Sequence, residues 1–335
     1  MRTVAVLGAG NMGTALAQTI AGNGHRAQLW SIETDVLEEI RDRRLNSKYL
    51  PGVTLHENVT ACWSIEEALA GAWLVLFSVP SHIVRGLARD VAPHIGAGQA
   101  VLNAGKGLEE GTDHSTGSGQ ALRICEVLAE ELPSSRGIAA MGGPAIATEF
   151  ARGVPTAVIV AAAEAALAAE IQAALQNEFF KVDTTTDVAG VELGACLKNA
   201  YAIALGMCDG LGHGANTKAF FASMALDELA ALSKAMGGEE RTAYGLAGLG
   251  DLLTTGYSAH SRNRTLGEKL CTDPDWPEFV RTNTVEGIAA CRAAKELAHR
   301  LDVSTPLLHA IYDVLFLDEP PAETMRLFLR DFAYG

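Results

Sequence analysis

The sequence predicts two domains of different class: a doubly wound α/β domain over residues 1–185 and an all-α domain over residues 186–335. Three observations carry this. Short apolar runs alternate with helical patterns through the first half, as strands with helical crossovers require. A glycine-rich turn, Gly8-Ala9-Gly10-Asn11-Met12-Gly13, separates the first strand from the first helix. After residue 187 strand signals nearly vanish and amphipathic helical patterns run to the end. At 335 residues the chain also exceeds what most single cores hold.

The first strand, Thr3 to Leu7, is β-branched and apolar, and the pattern beyond the glycine turn is helical as far as Gly22 or Gly24. Strand, glycine turn and helix form the Rossmann-type context for a dinucleotide: Gly8 permits the turn, Gly10 lets a pyrophosphate approach, and Gly13 lets the helix lie on the strand. The helix N-terminus offers its amides to the phosphates. The second strand, Arg26 to Trp30, ends in Ser31-Ile32-Glu33. An acid about twenty residues beyond the glycines is placed for a ribose 2′-hydroxyl, where an arginine would welcome a 2′-phosphate. Glu33 therefore favours NAD over NADP, the alternative being that it caps the next helix with Asp35.

Trp73 to Val79 is a continuous apolar run of the central-strand type, closed by Pro80-Ser81-His82. Strands follow at Gln99 to Leu102 and Gly137 to Met141. The ends of these strands carry VPSH at 79–82, NAGKGLE at 103–109 and GGPAIATE at 142–149, and open α/β sheets bind ligands off such ends. Lys106, between two glycines, is hard to explain as packing; a solvated loop is its alternative. Strands at 156–161 and 179–183 flank an Ala-rich helix and complete the sheet.

Asp187 to Gly210 reads as one helix, apolar or small on every side, with Lys198 in its middle. Val191, Gly194, Ala195, Tyr201, Ala202 and Leu205 share the lysine's face, and no carboxylate does. Such an ammonium must snorkel out, meet a carboxylate from a distant segment, or point into a cleft. His213 to Lys218 interrupts the pattern before a second helix, Ala219 to about Met236. From Gly245 three glycines lead to Asp251, then Thr254-Thr255, then Ser261-Arg262-Asn263-Arg264. A carboxylate on a glycine-rich approach suits a buried lysine, and forked donors suit a phosphate. A helix cap followed by a solvated basic turn is the alternative.

With 26 basic and 40 acidic residues the net charge is −14, which argues against nucleic acid or an anionic membrane surface as partner. The six cysteines show no CxxC pair or metal-like spacing, so they read as buried thiols in a reducing compartment, with no metal site. The N-terminus runs directly into a strand, leaving no room for a signal peptide. Pro155 to Leu175 is interrupted by Glu164 and Glu170 and is rejected as a membrane span. A cytoplasmic protein is expected. The broad apolar face of the helical domain suggests a homodimer.

GAGNMGTAL at 8–16, NSKYLPG at 46–52, VPSH at 79–82, GKGLE at 105–109, GGPAIATE at 142–149, VELGACLKNAYAIALG at 191–206, GHGANTKA at 212–219 and GLGDLLTTGYSAHSRNRTLG at 248–267 together resemble the NAD(P)-dependent glycerol-3-phosphate dehydrogenases of the bacterial cytosolic type, over nearly the whole chain. The resemblance implies a 6-phosphogluconate-dehydrogenase-like arrangement of the two domains. It also implies interconversion of glycerol 3-phosphate and dihydroxyacetone phosphate, feeding glycerophospholipid synthesis. On that footing Lys198 is the catalytic lysine, positioned by Asp251, with Lys106 near the reacting groups. The cofactor would touch Gly8, Gly10, Asn11, Met12, Gly13, Glu33, Pro80, Lys106, Ala147, Arg262 and Glu286. The substrate would touch Lys106, Gly143, Lys198, Asn199, Asp251 and Thr255, with its phosphate on Arg262 and Asn263. Departures matter too. Ile32 replaces a usual arginine, which supports NAD, and the GGP run has a glycine where serine is common. Ser223-Met224-Ala225 replaces a usual Thr-Arg-Gly, so another short phosphorylated or phosphonate ketone is the alternative substrate, and a non-catalytic NAD(H) sensor the alternative of another class.

Overall fold

The computed structural model describes residues 1–109 and 122–331. Two compact units divide the described chain, residues 1–109 with 122–192, and residues 193–331.

The first unit runs β1 (Thr3–Leu7), α1 (Asn11–Gly22), β2 (Arg26–Trp30), α2 (Thr34–Arg43), β3 (Val59–Cys62), α3 (Ile65–Leu69), β4 (Ala72–Phe77), α4 (Ser81–Val91), β5 (Ala100–Asn103), β6 (Leu108–Glu109), β7 (Leu122–Arg123), α5 (Ile124–Glu131), β8 (Gly137–Gly142), α6 (Ala147–Phe150), β9 (Thr156–Ala162), α7 (Ala165–Leu175) and β10 (Phe180–Thr185). Eight strands form one sheet in the order β10-β9-β8-β5-β4-β1-β2-β3. Successive residues of β1 face opposite sides. Val4 and Val6 pack with α1, α2 and α7 side chains, while Ala5 and Leu7 pack with those of α3, α4 and α5. Helices thus cover both faces, and every residue of β4 is buried, which is why its sequence is apolar without alternation. Leu7 pairs with Trp30 and Phe77, and Phe77 with Asn103, so four strands end in register and deliver their loops to one edge.

Some features differ from expectation. The four-residue strand β3 and the short β6–β7 pair carry no period long enough to read. The sheet is also mixed, because β9 runs antiparallel to β8 while β10 is parallel to β9.

The long helix α8 (Val188–Gly210) leaves the first unit and opens the second. There follow α9 (Ala215–Ala235), α10 (Glu240–Ala243), a π-helical turn (Leu246–Gly250), α11 (Asp251–Tyr257), α12 (Arg262–Thr272), α13 (Trp276–Thr282), α14 (Glu286–Arg300), α15 (Pro306–Phe316) and α16 (Pro321–Asp331). The helix expected from Ala219 begins one turn earlier, with Gly214 at its N-cap and the Lys218 amide donating to the Gly214 carbonyl. Residues 189–208 of α8 are buried without a break. Among the described residues α8 alone is long and apolar enough to cross a membrane, yet 89% of its apolar window is buried in the protein, as in a core helix. Glycines let its neighbours approach this closely. A Cβ on Gly267 would lie 2.0 Å from the Ile203 carbonyl oxygen, and one on Gly206 would lie 2.0 Å from that of Arg264, so α8 and α12 touch backbone to backbone. The cysteines are all free, with Cys271 partly exposed and the other five buried.

Candidate active site

In the first unit the glycine loop follows β1 and meets each requirement of a pyrophosphate cradle. Gly8 adopts φ +110°, and a Cβ there would press to 2.4 Å from the Ser78 carbonyl oxygen. A Cβ on Gly13 would lie 1.9 Å from the Gly8 carbonyl oxygen, so only glycine lets α1 sit on the strand end. Above Gly10 there is open space, with no atom within 4 Å of a built Cβ. Gly10 is also the N-cap of α1 and contributes no side-chain cap, leaving the first-turn amides of Asn11, Met12 and Gly13 without one. These features fit a dinucleotide. A brace that the sequence did not reveal is Asn46 of the NSKYLPG stretch, buried at 1% exposure, whose Nδ2 donates to the Ala9 carbonyl at 2.9 Å and to Thr14 Oγ1 at 2.8 Å.

Glu33 stands at the N-cap position of α2 but makes no side-chain cap bond, so the capping alternative does not hold. Its carboxylate instead accepts hydrogen bonds from Lys48 and Tyr49, which hold it below the usual glutamate range, Lys48 contributing most. Pro80 is exposed at the N-cap of α4. The loop after β5 turns on Asn103, whose Oδ1 accepts from the Gly105 amide at 2.9 Å. Lys106 Nζ donates to the Gly143 carbonyl at 3.3 Å. Its flanking glycines do have a packing reason, contrary to expectation: a Cβ on Gly107 would lie 2.4 Å from Ser81 Oγ, and one on Gly105 3.1 Å from Asn103 Oδ1. Gly143 has φ +117°, and Ala147 opens α6 beyond it, buried. Glu192 of α8 closes this side, accepting from the Cys125 amide at 2.8 Å and from Arg123 Nη1 at 3.1 Å. Burial raises its carboxyl above the ordinary glutamate range.

The second unit answers the question posed by the apolar helix. Lys198 Nζ donates to Asp251 Oδ1 at 2.7 Å and to Thr255 Oγ1. The lysine is 6% exposed and the aspartate 2%. The run before Asp251 forms a π-helical turn rather than a loop, and it packs on α8 at Gly194, where a Cβ would lie 2.8 Å from the Ala247 carbonyl oxygen. A turn flush against α8 brings the carboxylate within reach of the ammonium. Removing one member of a buried pair leaves an uncompensated charge and typically costs about 3–5 kcal/mol.

One residue along, Asn199 Nδ2 donates to Glu286 Oε2 at 3.2 Å and Asn199 Oδ1 accepts from Asn263 Nδ2 at 2.9 Å. Asn263 Oδ1 in turn accepts from the Gly287 amide at 2.9 Å. The three side chains join α8, α12 and α14. Both ends of the Asn263 amide are bonded within the protein, so its buried side chain is a strut, a feature the motif did not disclose. Arg262 is different: it is exposed, at the first position of α12, and makes no ion pair among the described residues. Ser261 caps that helix by accepting from the Arg264 amide at 3.2 Å. Arg264 Nε and Lys218 Nζ both reach Asp209 Oδ2 at 2.7 Å, so Asp209 is a second unforeseen anchor of the α12 start. Ser223 is exposed with its Oγ donating to the Ala219 carbonyl, while Met224 and Ala225 are buried in α9. Among the described residues no group of three or more His, Cys, Asp or Glu could hold a metal ion.

Both halves of the chain are similar to known proteins. Residues 3–168 match the family described as NAD-dependent glycerol-3-phosphate dehydrogenase N-terminus, and residues 187–326 match the C-terminus of the same family. Glycerol-3-phosphate dehydrogenases [NAD(P)+] of Bacillus cereus strain AH820 and of Bacillus anthracis are each 39% identical over 320 residues, covering 94% of this chain and 92% of the relative. The crystal structure of glycerol-3-phosphate dehydrogenase from Coxiella burnetii superposes with a TM-score of 0.89 at 32% identity, covering 98% of both chains. A ketopantoate reductase from Ralstonia eutropha, at 16% identity and a TM-score of 0.61 over 97% of this chain and 100% of its own, shares the fold alone. With both halves matched in order and the relatives covered nearly end to end, the chain belongs to the NAD-dependent glycerol-3-phosphate dehydrogenase family.

Proposed function

We propose that this protein interconverts sn-glycerol 3-phosphate and dihydroxyacetone phosphate with a nicotinamide dinucleotide, NAD(H) being preferred over NADP(H). The observation that carries the reading is the buried Lys198 ammonium held by Asp251 and Thr255 in a chain of this family. Residues 1–185 bind the dinucleotide on Gly8, Gly10, Asn11, Met12 and Gly13, and residues 186–335 supply the lysine and the phosphate contacts. The cofactor supplies the hydride chemistry; the protein supplies position and field. Lys198 donates a hydrogen bond, and finally a proton, to the ketone oxygen as negative charge develops there. Asp251 keeps that ammonium charged and aimed. Lys106, with Gly143, lines the reacting groups. The exposed Arg262 guanidinium and those first-turn amides of α12 that the Ser261 cap leaves open receive the phosphate. Asn263 shapes that turn through Asn199 and Gly287, and Glu286 borders the cofactor.

The NAD preference rests on Glu33, whose carboxylate suits ribose hydroxyls, and on the exposed Ile32, which brings no cation to a 2′-phosphate. Our reading also includes a cytoplasmic homodimer; the net charge of −14 and the free thiols suit a protein working in a reducing compartment away from anionic surfaces. Steady-state reduction of dihydroxyacetone phosphate with NADH and NADPH side by side tests substrate and cofactor together. Turnover with a higher kcat/KM for NADH is expected. No oxidation of either nucleotide overturns the substrate, and a higher value for NADPH overturns the preference.

A further inference from the structure

Glu33 does not act alone at the end of β2. Lys48 Nζ donates to its Oε1, and the Tyr49 hydroxyl bonds the same carboxylate. The backbone under these two side chains is fixed. Asn46 is tied to the glycine loop through the Ala9 carbonyl and Thr14, the Tyr49 amide donates to Asn46 Oδ1 at 3.2 Å, and Leu50 is wholly buried in the core. The Lys48 side chain itself is half exposed and Glu33 about a third, at 51% and 31%. Other cations nearby are committed elsewhere. Arg43 pairs with Glu39 at 3.6 Å, and Arg44 donates to the carbonyls of Leu55, His56 and Val59.

An isolated carboxylate accepts ribose hydroxyls and repels a 2′-phosphate; one paired with a lysine does the first while its repulsion is largely cancelled. A solvated pair is also loosely held, so its ammonium exchanges one anion for another at little cost. We propose that Lys48 sets the cofactor discrimination of this chain. It pairs with Glu33 when the adenine ribose carries a free 2′-hydroxyl, and turns to the phosphate when the ribose carries a 2′-phosphate, which makes NADP(H) a usable second cofactor. This rests on the placement of the adenine ribose at Glu33 given above.

The test is a fluorescence titration of NADH and NADPH, giving dissociation constants for wild type, Lys48→Gln and Lys48→Arg. Loss of one solvated charge contact should raise the NADPH-to-NADH ratio of Kd about fivefold in Lys48→Gln, and Lys48→Arg should return it to near the wild-type value. Added salt should weaken NADPH more than NADH in wild type, and this excess should shrink in Lys48→Gln. A ratio unchanged by Lys48→Gln, or equal weakening of both nucleotides, overturns the proposal. The wild-type ratio on its own reports the NAD preference: tighter NADPH binding there refutes that preference, while the Gln-to-wild-type comparison still decides the role of Lys48.

Discussion

Lys198 and Asp251 are 53 positions apart and meet at 2.7 Å in a buried site, which assigns them to one chemical unit. Lys198→Ala should lower turnover about a hundredfold or more, the scale of acid–base groups, while the Kd for NADH stays within a few-fold of wild type. Steady-state rates with a parallel fluorescence titration check both, and near wild-type turnover refutes the proton-donor role. Arg262 is expected to behave differently, because it is exposed and its proposed role is to grip the phosphate, remote from the reacting carbon. Arg262→Ala should raise the KM for dihydroxyacetone phosphate much more than the Kd for NADH, and an unchanged KM removes it from the phosphate site. The anomaly of Lys198 was legible in the sequence, since a lone cation on an apolar helix needs an explanation. Its choice of Asp251 was an expectation from the family resemblance but only a possibility from the residue pattern itself, because pairing across 53 residues depends on how a π-helical turn packs. Asn46, Asp209 and the bonded state of Asn263 were not legible at all: polar residues inside recognisable motifs look alike whether they touch a ligand or brace the loop that does.

At the scale of elements, the contact of α8 with α12 is made by glycines rather than interdigitating side chains. With 2.0 Å between a Gly267 Cβ and the Ile203 carbonyl oxygen, Gly267→Ala forces the two helices apart. Overpacking of this kind costs about 1–3 kcal/mol, so the melting temperature should fall by several degrees. Gly22→Ala, at a helical glycine with nothing within 4 Å of the new methyl, is the control and should match wild type or exceed it. Equal melting temperatures for the two variants would show that α12 shifts freely. Elements with a long apolar period, such as β4 and α8, were readable because burial dictates their composition. Strand β3 was not, since its four residues VTAC are held by pairing with β2 rather than by any pattern of their own. The antiparallel setting of β9 against β8 is likewise a matter of chain path, which apolar runs do not encode.

For the whole molecule, one buried carboxyl ties stability to pH. Glu228 of α9 is 2% exposed, accepts the amides of Leu307 and Leu308 in the first turn of α15 at 2.5 and 3.0 Å, and accepts the Tyr201 hydroxyl of α8 at 3.0 Å. Burial pushes its pKa up to about 7 from an ordinary 4.5, with the nearby Asp227 adding to the rise and the three hydrogen bonds opposing it. Because the folded value lies above the unfolded one, the folded state holds the proton more tightly through this window. The resulting stabilisation is complete below about pH 4.5 and is lost as pH rises through about 7. A displacement of this size is worth about 3 kcal/mol or less. Glu228→Gln cannot titrate; because the Leu307 and Leu308 amides bond different carboxylate oxygens, its single oxygen replaces only one acceptor, so a constant loss of stability is expected and the pH dependence carries the test. Denaturant unfolding of wild type and Glu228→Gln across this range should therefore give curves whose difference changes with pH, the wild type losing about 1–3 kcal/mol relative to the variant between pH 5 and pH 8. A pH-independent difference would mean that Glu228 keeps one protonation state throughout, and that its hydrogen bonds to α15 and Tyr201 outweigh its burial.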